Sequence, residues 1–269
     1  RDLHELRHSV PTRRSSDLVQ LLKKYIINIL AFVLMSAPNK AASTIEGYDV
    51  VSKLNKENIT LYAKKMNGLY QDFKINFKGE NYSRPFWRNV TNLTYAPKMY
   101  YEDINKDGKK ELIIILTKGY GTGVLQEEVF VYRYTNGLID VLVDNPLAII
   151  NINVKTKLST ERAEISVGEK VYTVDIAPLE IPPTNLFNNV AFGSITKYEV
   201  NDNKLIVRVD CRISPAGYIG EIVIVYEYRD NMFQANSIEF QPADLWFVQL
   251  SGAIAQQGQS LFVLTWSLV

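Results

Sequence analysis

Residues 59–77 read ITLYAKKMNGLYQDFKINF, and this stretch decides the fold class. Ile59, Leu61 and Ala63 alternate with polar or amphipathic neighbours, Asn67-Gly68 interrupts, and Leu69, Phe73, Ile75 and Phe77 then fall on one face of the next segment. A period of two marks a half-buried strand, because successive strand side chains point to opposite faces. Asn-Gly supplies the positive φ angles of a type I′ turn, so the two segments are predicted to pair as a hairpin.

The same grammar repeats along the chain. VFVYRY and LIDVLV flank Asn136-Gly137, and AEISV and KVYTVDI flank Gly168-Glu169. KYEV and KLIVRVDCRI flank 201–203, and EIVIVYEY and MFQANSIEF flank 229–231. Each case joins β-branched or aromatic alternation to turn-forming residues. The fold class is therefore mainly β, with antiparallel, hairpin-rich sheets and few short helices. A sandwich, an open barrel and propeller-like blades all satisfy this pattern. Short helices are expected at 44–54 and near 185–190, and Pro182-Pro183 marks either a seam between two sheet-forming halves or a loop.

The ends read differently. Residues 1–18, RDLHELRHSVPTRRSSDL, have no periodicity and resemble translated sequencing-adapter sequence, so they are set aside from fold reasoning. In 19–43, Lys23 and Lys24 precede an apolar run and then small residues at Ala41, Ala42 and Ser43. That order describes a secretory signal peptide, whose apolar core is shorter than the about 20 residues of a membrane span. The mature β domain is expected over 44–241, without a transmembrane span. The tail 242–269 is uncharged from Leu245 onward, and a strand pair or a read-through or frame-shifted end would each account for it.

Composition narrows the chemistry. The 269 residues carry 30 Lys+Arg and 29 Asp+Glu; without 1–18 the two signs balance. No long-range field is present to gather nucleic acid, so none is expected as partner. Cys211 is the one cysteine, and both histidines lie in 1–18, so a disulfide framework, a Cys-based zinc site and a histidine-assisted nucleophile are all excluded from the mature domain. Cys211 itself reads as a small buried apolar side chain. Asn-x-Ser/Thr sites at Asn58, Asn81, Asn89 and Asn92 would matter only in a eukaryotic secretory host.

The clearest chemistry lies in YYEDINKDGKKELIIIL, residues 100–116. Asp103, Asn105 and Asp107 occupy alternate positions, Gly108 permits a sharp turn, and Glu111 follows at position nine. Calcium takes six to eight oxygens, and a short loop can wrap it when carboxylates and amides recur in this way. Lys109 would offer its backbone carbonyl. Ile114 stands where a helix-flanked sensor loop carries its last glutamate, so this loop leads into a strand instead. A metal-free loop of Asx turns satisfies the same spacing, and Lys106, Lys109 and Lys110 would weaken cation binding.

The DxNxDGxxE pattern running into ELIIIL resembles the calcium loops of FG-GAP and VCBS-type repeats. One copy does not make a propeller, which needs several blades. PFW at 85–87, together with residues 94–124 and 212–240, resembles a group of exported Gram-positive-type proteins. That resemblance covers about 59–240 and implies an exported domain, with no particular activity.

Two further constellations stand out in the sequence. Gly119, Gly121 and Gly123 lack the Lys-Ser/Thr and helix of a phosphate loop, and read as a wide bend beside the calcium loop. Glu127, Glu128, Asp140 and Asp144 could serve a carboxylate-dependent extracellular polysaccharide hydrolase, which needs only two acids at the right separation. The leading expectation is a secreted or cell-surface, non-catalytic binding module with structural calcium. Its expected partner is cell-wall polysaccharide or another exported protein.

Overall fold

The computed structural model describes residues 45–243. The adapter-like segment, the expected signal peptide and the tail beyond Ala243 lie outside them. Strands β1 (Asp49–Leu54), β2 (Ile59–Met66), β3 (Leu69–Phe77) and β4 (Glu80–Val90) form an antiparallel meander in sequence order. Asn67 and Gly68 take φ of 50° and 76°, and Met66 faces Leu69, which is the predicted hairpin. The face assignment shifts by one residue. Asp72, at φ 50°, is an extra residue in β3 between Gln71 and Phe73, so Tyr70 rather than Leu69 packs with Phe73, Ile75 and Phe77.

The helix expected at 44–54 is replaced by β1. Gly47, at φ 77°, lies in a tight turn in which the Tyr48 N–H donates to the Ile45 carbonyl, and the chain then extends along β2. Val51 and Leu54 pack onto the meander core, so pairing and burial outweigh local helix preference.

The larger sheet contains β5 (Lys98–Glu102), β6 (Glu111–Gly121), β7 (Val124–Tyr134), β8 (Leu138–Val143), β12 (Ala191–Asn201), β13 (Lys204–Arg212), β14 (Tyr218–Arg229) and β15 (Met232–Pro242). Its order is β12-β13-β14-β15-β8-β7-β6-β5, and β12 pairs again with β7. Six strands thus close a ring, so the eight-stranded sheet forms a barrel from which β5 and β6 extend. Two junctions of the ring are parallel and short: Ile195↔Leu125 and Thr196↔Gln126, then Met232↔Leu142 and Phe233↔Val143. The remaining pairings are antiparallel, with Asp202-Asn203 and Asp230-Asn231 turning at positive φ. β15 carries the domain one residue beyond the expected 241.

Between the barrel halves lie α1 (Pro146–Asn153) and a three-stranded sheet of β9 (Val154–Leu158), β10 (Arg162–Val167) and β11 (Lys170–Asp175). α1 was not expected, although its start is written locally: Asn145 accepts the Leu147 and Ala148 N–H groups at 2.9 and 3.2 Å, and Pro146 fills the first turn. Of residues 185–190, Asn185 ends a 3-10 turn that spans Pro183–Asn185, and 186–190 are not helical. Pro182-Pro183 is a loop, because the barrel draws strands from both sides of it.

β6 joins two cores. Ile113 and Ile115 enter the barrel-side cluster with Val131, Val207, Ile222 and Phe233, while Leu112, Ile114 and Leu116 enter the meander cluster with Phe73, Phe77 and Trp87. Burial on both faces explains a continuous apolar run where a surface strand would alternate. Each such side chain contributes about 2 kcal/mol gross. Cys211 is fully buried in the barrel-side cluster and its thiol is pushed up by desolvation, as a small apolar residue would be placed. Among the described residues no helix is long and apolar enough to cross a membrane.

Candidate metal centre

The loop between β5 and β6 keeps all five predicted residues together, and Ile104 ties it to the protein. This side chain, 5% exposed, inserts into the barrel-side core between Asp103 and Asn105. Anchored there, the loop turns at Lys106 and Gly108, with φ of 63° and 83°. The side-chain oxygens accept the loop's own N–H groups. Asp103 Oδ1 accepts the Asp107 N–H at 3.2 Å and Oδ2 the Gly108 N–H at 3.0 Å. Asn105 Oδ1 accepts the Asp107 N–H at 2.9 Å, and Asp107 Oδ1 accepts the Lys109 N–H at 2.8 Å.

Glu111 opens β6 and is only 1% exposed. Its carboxylate accepts the Ile104 N–H at 3.1 Å and the Asn105 amide at 2.9 Å. Burial, followed by the charges of Asp107 and Asp103, pushes its pKa up to about 7 against the relief given by those donors. None of the three carboxylates makes an ion pair among the described residues, although Lys106, Lys109 and Lys110 stand in the same loop; Lys110 rests over the Tyr101 ring at 5.6 Å.

The donors suit a hard divalent cation in kind, being three carboxylates and an amide oxygen. Each oxygen that accepts one N–H keeps a further lone pair, so ligation need not break the turns. In position they are less advanced: among the described residues no three His, Cys, Asp or Glu side chains are gathered tightly enough to cage an ion. The loop holds itself through Asx-type turns, in which Asp103 and Asn105 are half-buried and Asp107 is exposed.

The glycine reading is corrected. Gly121 pairs with Val124 across a tight turn, with Gly123 at φ 69°, at the end of β6 opposite the calcium-type loop. Arg212 packs there, donating to the Gly123 carbonyl at 2.8 Å and the Pro215 carbonyl at 2.9 Å, and Asp210 holds its Nε at 2.5 Å.

The four candidate hydrolase acids are dispersed. Glu127 meets Lys98 at 2.8 Å, Glu128 meets Lys118 at 2.7 Å, Asp140 meets Arg84 at 3.3 Å, and Asp144 lines a cleft without the other three. Asn89, one of the glycosylation-type sites, is fully buried and accepts the Thr117 N–H.

Polar residues that close the barrel escaped the sequence reading. Gln126 Nε2 donates to the Gly193 carbonyl at 2.6 Å, Glu127 accepts the Tyr198 N–H at 2.7 Å, and Asp210 accepts the Gly193 and Ile195 N–H groups. Their partners lie far along the chain, and no local pattern announces them. No protein-family model, curated protein or solved structure matches the chain.

Proposed function

We propose that the chain is an exported, non-catalytic binding or envelope-associated module whose loop 103–111 takes up calcium as a structural ion. Asp103, Asn105, Asp107 and Glu111 would supply side-chain oxygens and Lys109 its backbone carbonyl. The observation that carries this reading is the grouping of oxygens: Asp103, Asp107 and the buried Glu111 share one loop with Asn105, and none of the three carboxylates makes an ion pair among the described residues, although Lys106, Lys109 and Lys110 match them in formal charge. Turns alone would be served equally well by neutral asparagines, which cap N–H groups without mutual repulsion. The FG-GAP and VCBS-like loop pattern supports the same ion. The signal-like segment 19–43 supports export, with cell-wall polysaccharide or another exported protein as the partner class.

Calcium titration tests the site. Extracellular modules bind at roughly 10⁻⁴ to 10⁻³ M. With a dissociation constant of about 0.1 mM, 1 mM free calcium should stabilise the protein by about 1.4 kcal/mol over the EGTA-treated sample. Asp107→Ala should abolish the difference. A calorimetric titration without heat, and a melting curve indifferent to calcium, would remove the ion from the proposal. Secretion from a Gram-positive host with a processed N-terminus near residue 44 tests export separately.

A further inference from the structure

A cleft of about 270 Å³ lies between α1 and the β14–β15 hairpin, lined by no residue of the loop 103–111. Ala148 and Ile152 of α1 form an aliphatic wall, and Arg229 and Gln234 face them. Ile152 is 78% exposed at the mouth of the cleft, where its side chain is open to a ligand. Asp144 stands before the helix with its backbone fixed twice. Its N–H donates to the Phe233 carbonyl, and its carbonyl accepts the Tyr226 hydroxyl, both at 2.9 Å. Its carboxylate has no hydrogen bond or ion pair among the described residues.

Arg229 is positioned in advance. Its Nε and one Nη donate to Gln234 Oε1 at 3.1 and 2.8 Å, and the other Nη meets Glu227 at 3.0 Å. The cleft therefore offers a free acceptor and a pre-aimed donor around an aliphatic surface.

That combination restricts the ligand. A simple anion would face Asp144 and Glu227, and an apolar molecule would strip water from Asp144 without replacing its hydrogen bonds. A simple cation would suit Asp144 but would leave the remaining Arg229 N–H groups and the Ala148–Ile152 wall unanswered. Glu227 already balances Arg229, so a zwitterion finds no matched pair of free charges. Vicinal hydroxyls, each able to donate and accept, answer both groups at once, and the C–H face of a sugar ring can lie on Ile152 and Ala148. We infer that this cleft is a saccharide subsite, seating one ring of a neutral glycan between Asp144 and Arg229. The inference deepens the reading of the chain as a binding module and does not depend on the calcium loop.

The test is a calorimetric titration of the full chain, in EGTA, with maltotriose, cellotriose and triacetylchitotriose, and with glycine and lysine as charged comparisons. At least one trisaccharide should bind saturably in the millimolar range, and the amino acids should not. Asp144→Asn keeps the shape but removes the charge and should weaken binding about tenfold, as should Arg229→Ala. Ile152→Ala should weaken it less, with melting temperatures unchanged throughout. Three silent sugars, or sugar binding indifferent to Asp144→Asn and Arg229→Ala, would overturn the site. Glycine binding lost in Asp144→Asn would replace the saccharide by a zwitterion. Because the titration is run without calcium, failure of the loop leaves its outcome intact, and a chain that binds calcium but no sugar loses this site alone.

Discussion

The two ends of β6 solve one problem with opposite charges. At the Glu111 end, carboxylates accept N–H groups of the preceding loop; at the Gly121 end, the Arg212 guanidinium donates to the Gly123 and Pro215 carbonyls. Both ends are thereby spared unsatisfied backbone. They differ in what neutralises the side chain. Arg212 has its counterion in the protein, with Asp210 at 2.5 Å, whereas Asp103, Asp107 and Glu111 have none. One terminus has its charge paired at contact distance, whereas the other carries carboxylates that no neighbouring lysine reaches, and those unpaired carboxylates are the physical argument for an external cation.

Breaking the self-sufficient end should cost most. Asp210→Ala leaves Arg212, 13% exposed, without its partner, and strips the Gly193 and Ile195 N–H groups of their acceptor. A loss of about 3–5 kcal/mol is expected in urea unfolding, as for a buried pair cut on one side. Asp210→Asn, which keeps an acceptor for those amides, should lose less.

At the other end the effect should depend on pH, with a sign that calcium reverses. Glu111 titrates near 7 in the folded chain against an ordinary 4.5, so between those values the calcium-free fold binds the extra proton. Its contribution should therefore fall as pH rises from about 4.5 to about 7 and stay level above, by about 3 kcal/mol in all. Facing it are Asp103 and Asp107, the Ile104 N–H, the Asn105 amide and Tyr101, whose hydroxyl is pushed up by burial and then by Glu111. Calcium requires the carboxylate, so its affinity should rise across the same window. Comparing wild type with Glu111→Gln at several pH values isolates this term; parallel curves would show that Glu111 does not titrate there.

What was legible in the sequence was what is local. The hairpins at Asn67-Gly68, Gly168-Glu169 and Asp230-Asn231 follow from two-residue turn chemistry, and the loop 103–111 spans nine residues, so its cohesion could be read directly. One inserted residue, Asp72, moved a whole strand face, because bulges carry no alternation signal of their own. β1 looked helical until β2 was beside it. α1 had its Asn-Pro start in plain view, but an apolar run of this length also suits a buried strand. Barrel closure was invisible, since it rests on Gln126 and Glu127 meeting 193–198 across about seventy residues. The same holds for the cleft, whose Asp144 was noticed as an acid and whose Arg229 was not.

Gly123→Ala probes the tip at a smaller scale. A Cβ there would lie 2.8 Å from Arg212 Nη1, and φ of 69° disfavours any L side chain. About 1–2 kcal/mol should be lost, without change in calcium response, because the tip lies at the far end of β6. A calcium-dependent loss would mean that the two ends communicate.

The smallest expected effect is the most exacting for the loop. Lys109 was assigned its backbone carbonyl alone, and its exposed side chain makes no ion pair among the described residues. Lys109→Ala should therefore leave folding stability within about 0.5 kcal/mol, as is usual for an exposed site. It should leave calcium affinity unchanged or slightly tighter, since one positive charge departs from the neighbourhood of the ion. Lys109→Asp should tighten it further for the same reason. If calorimetry showed calcium binding weakened by Lys109→Ala, the ammonium would be organising the carboxylates, and the loop would have its counterion within the protein after all. The contrast between the two ends of β6 would then disappear, and with it the argument for the ion.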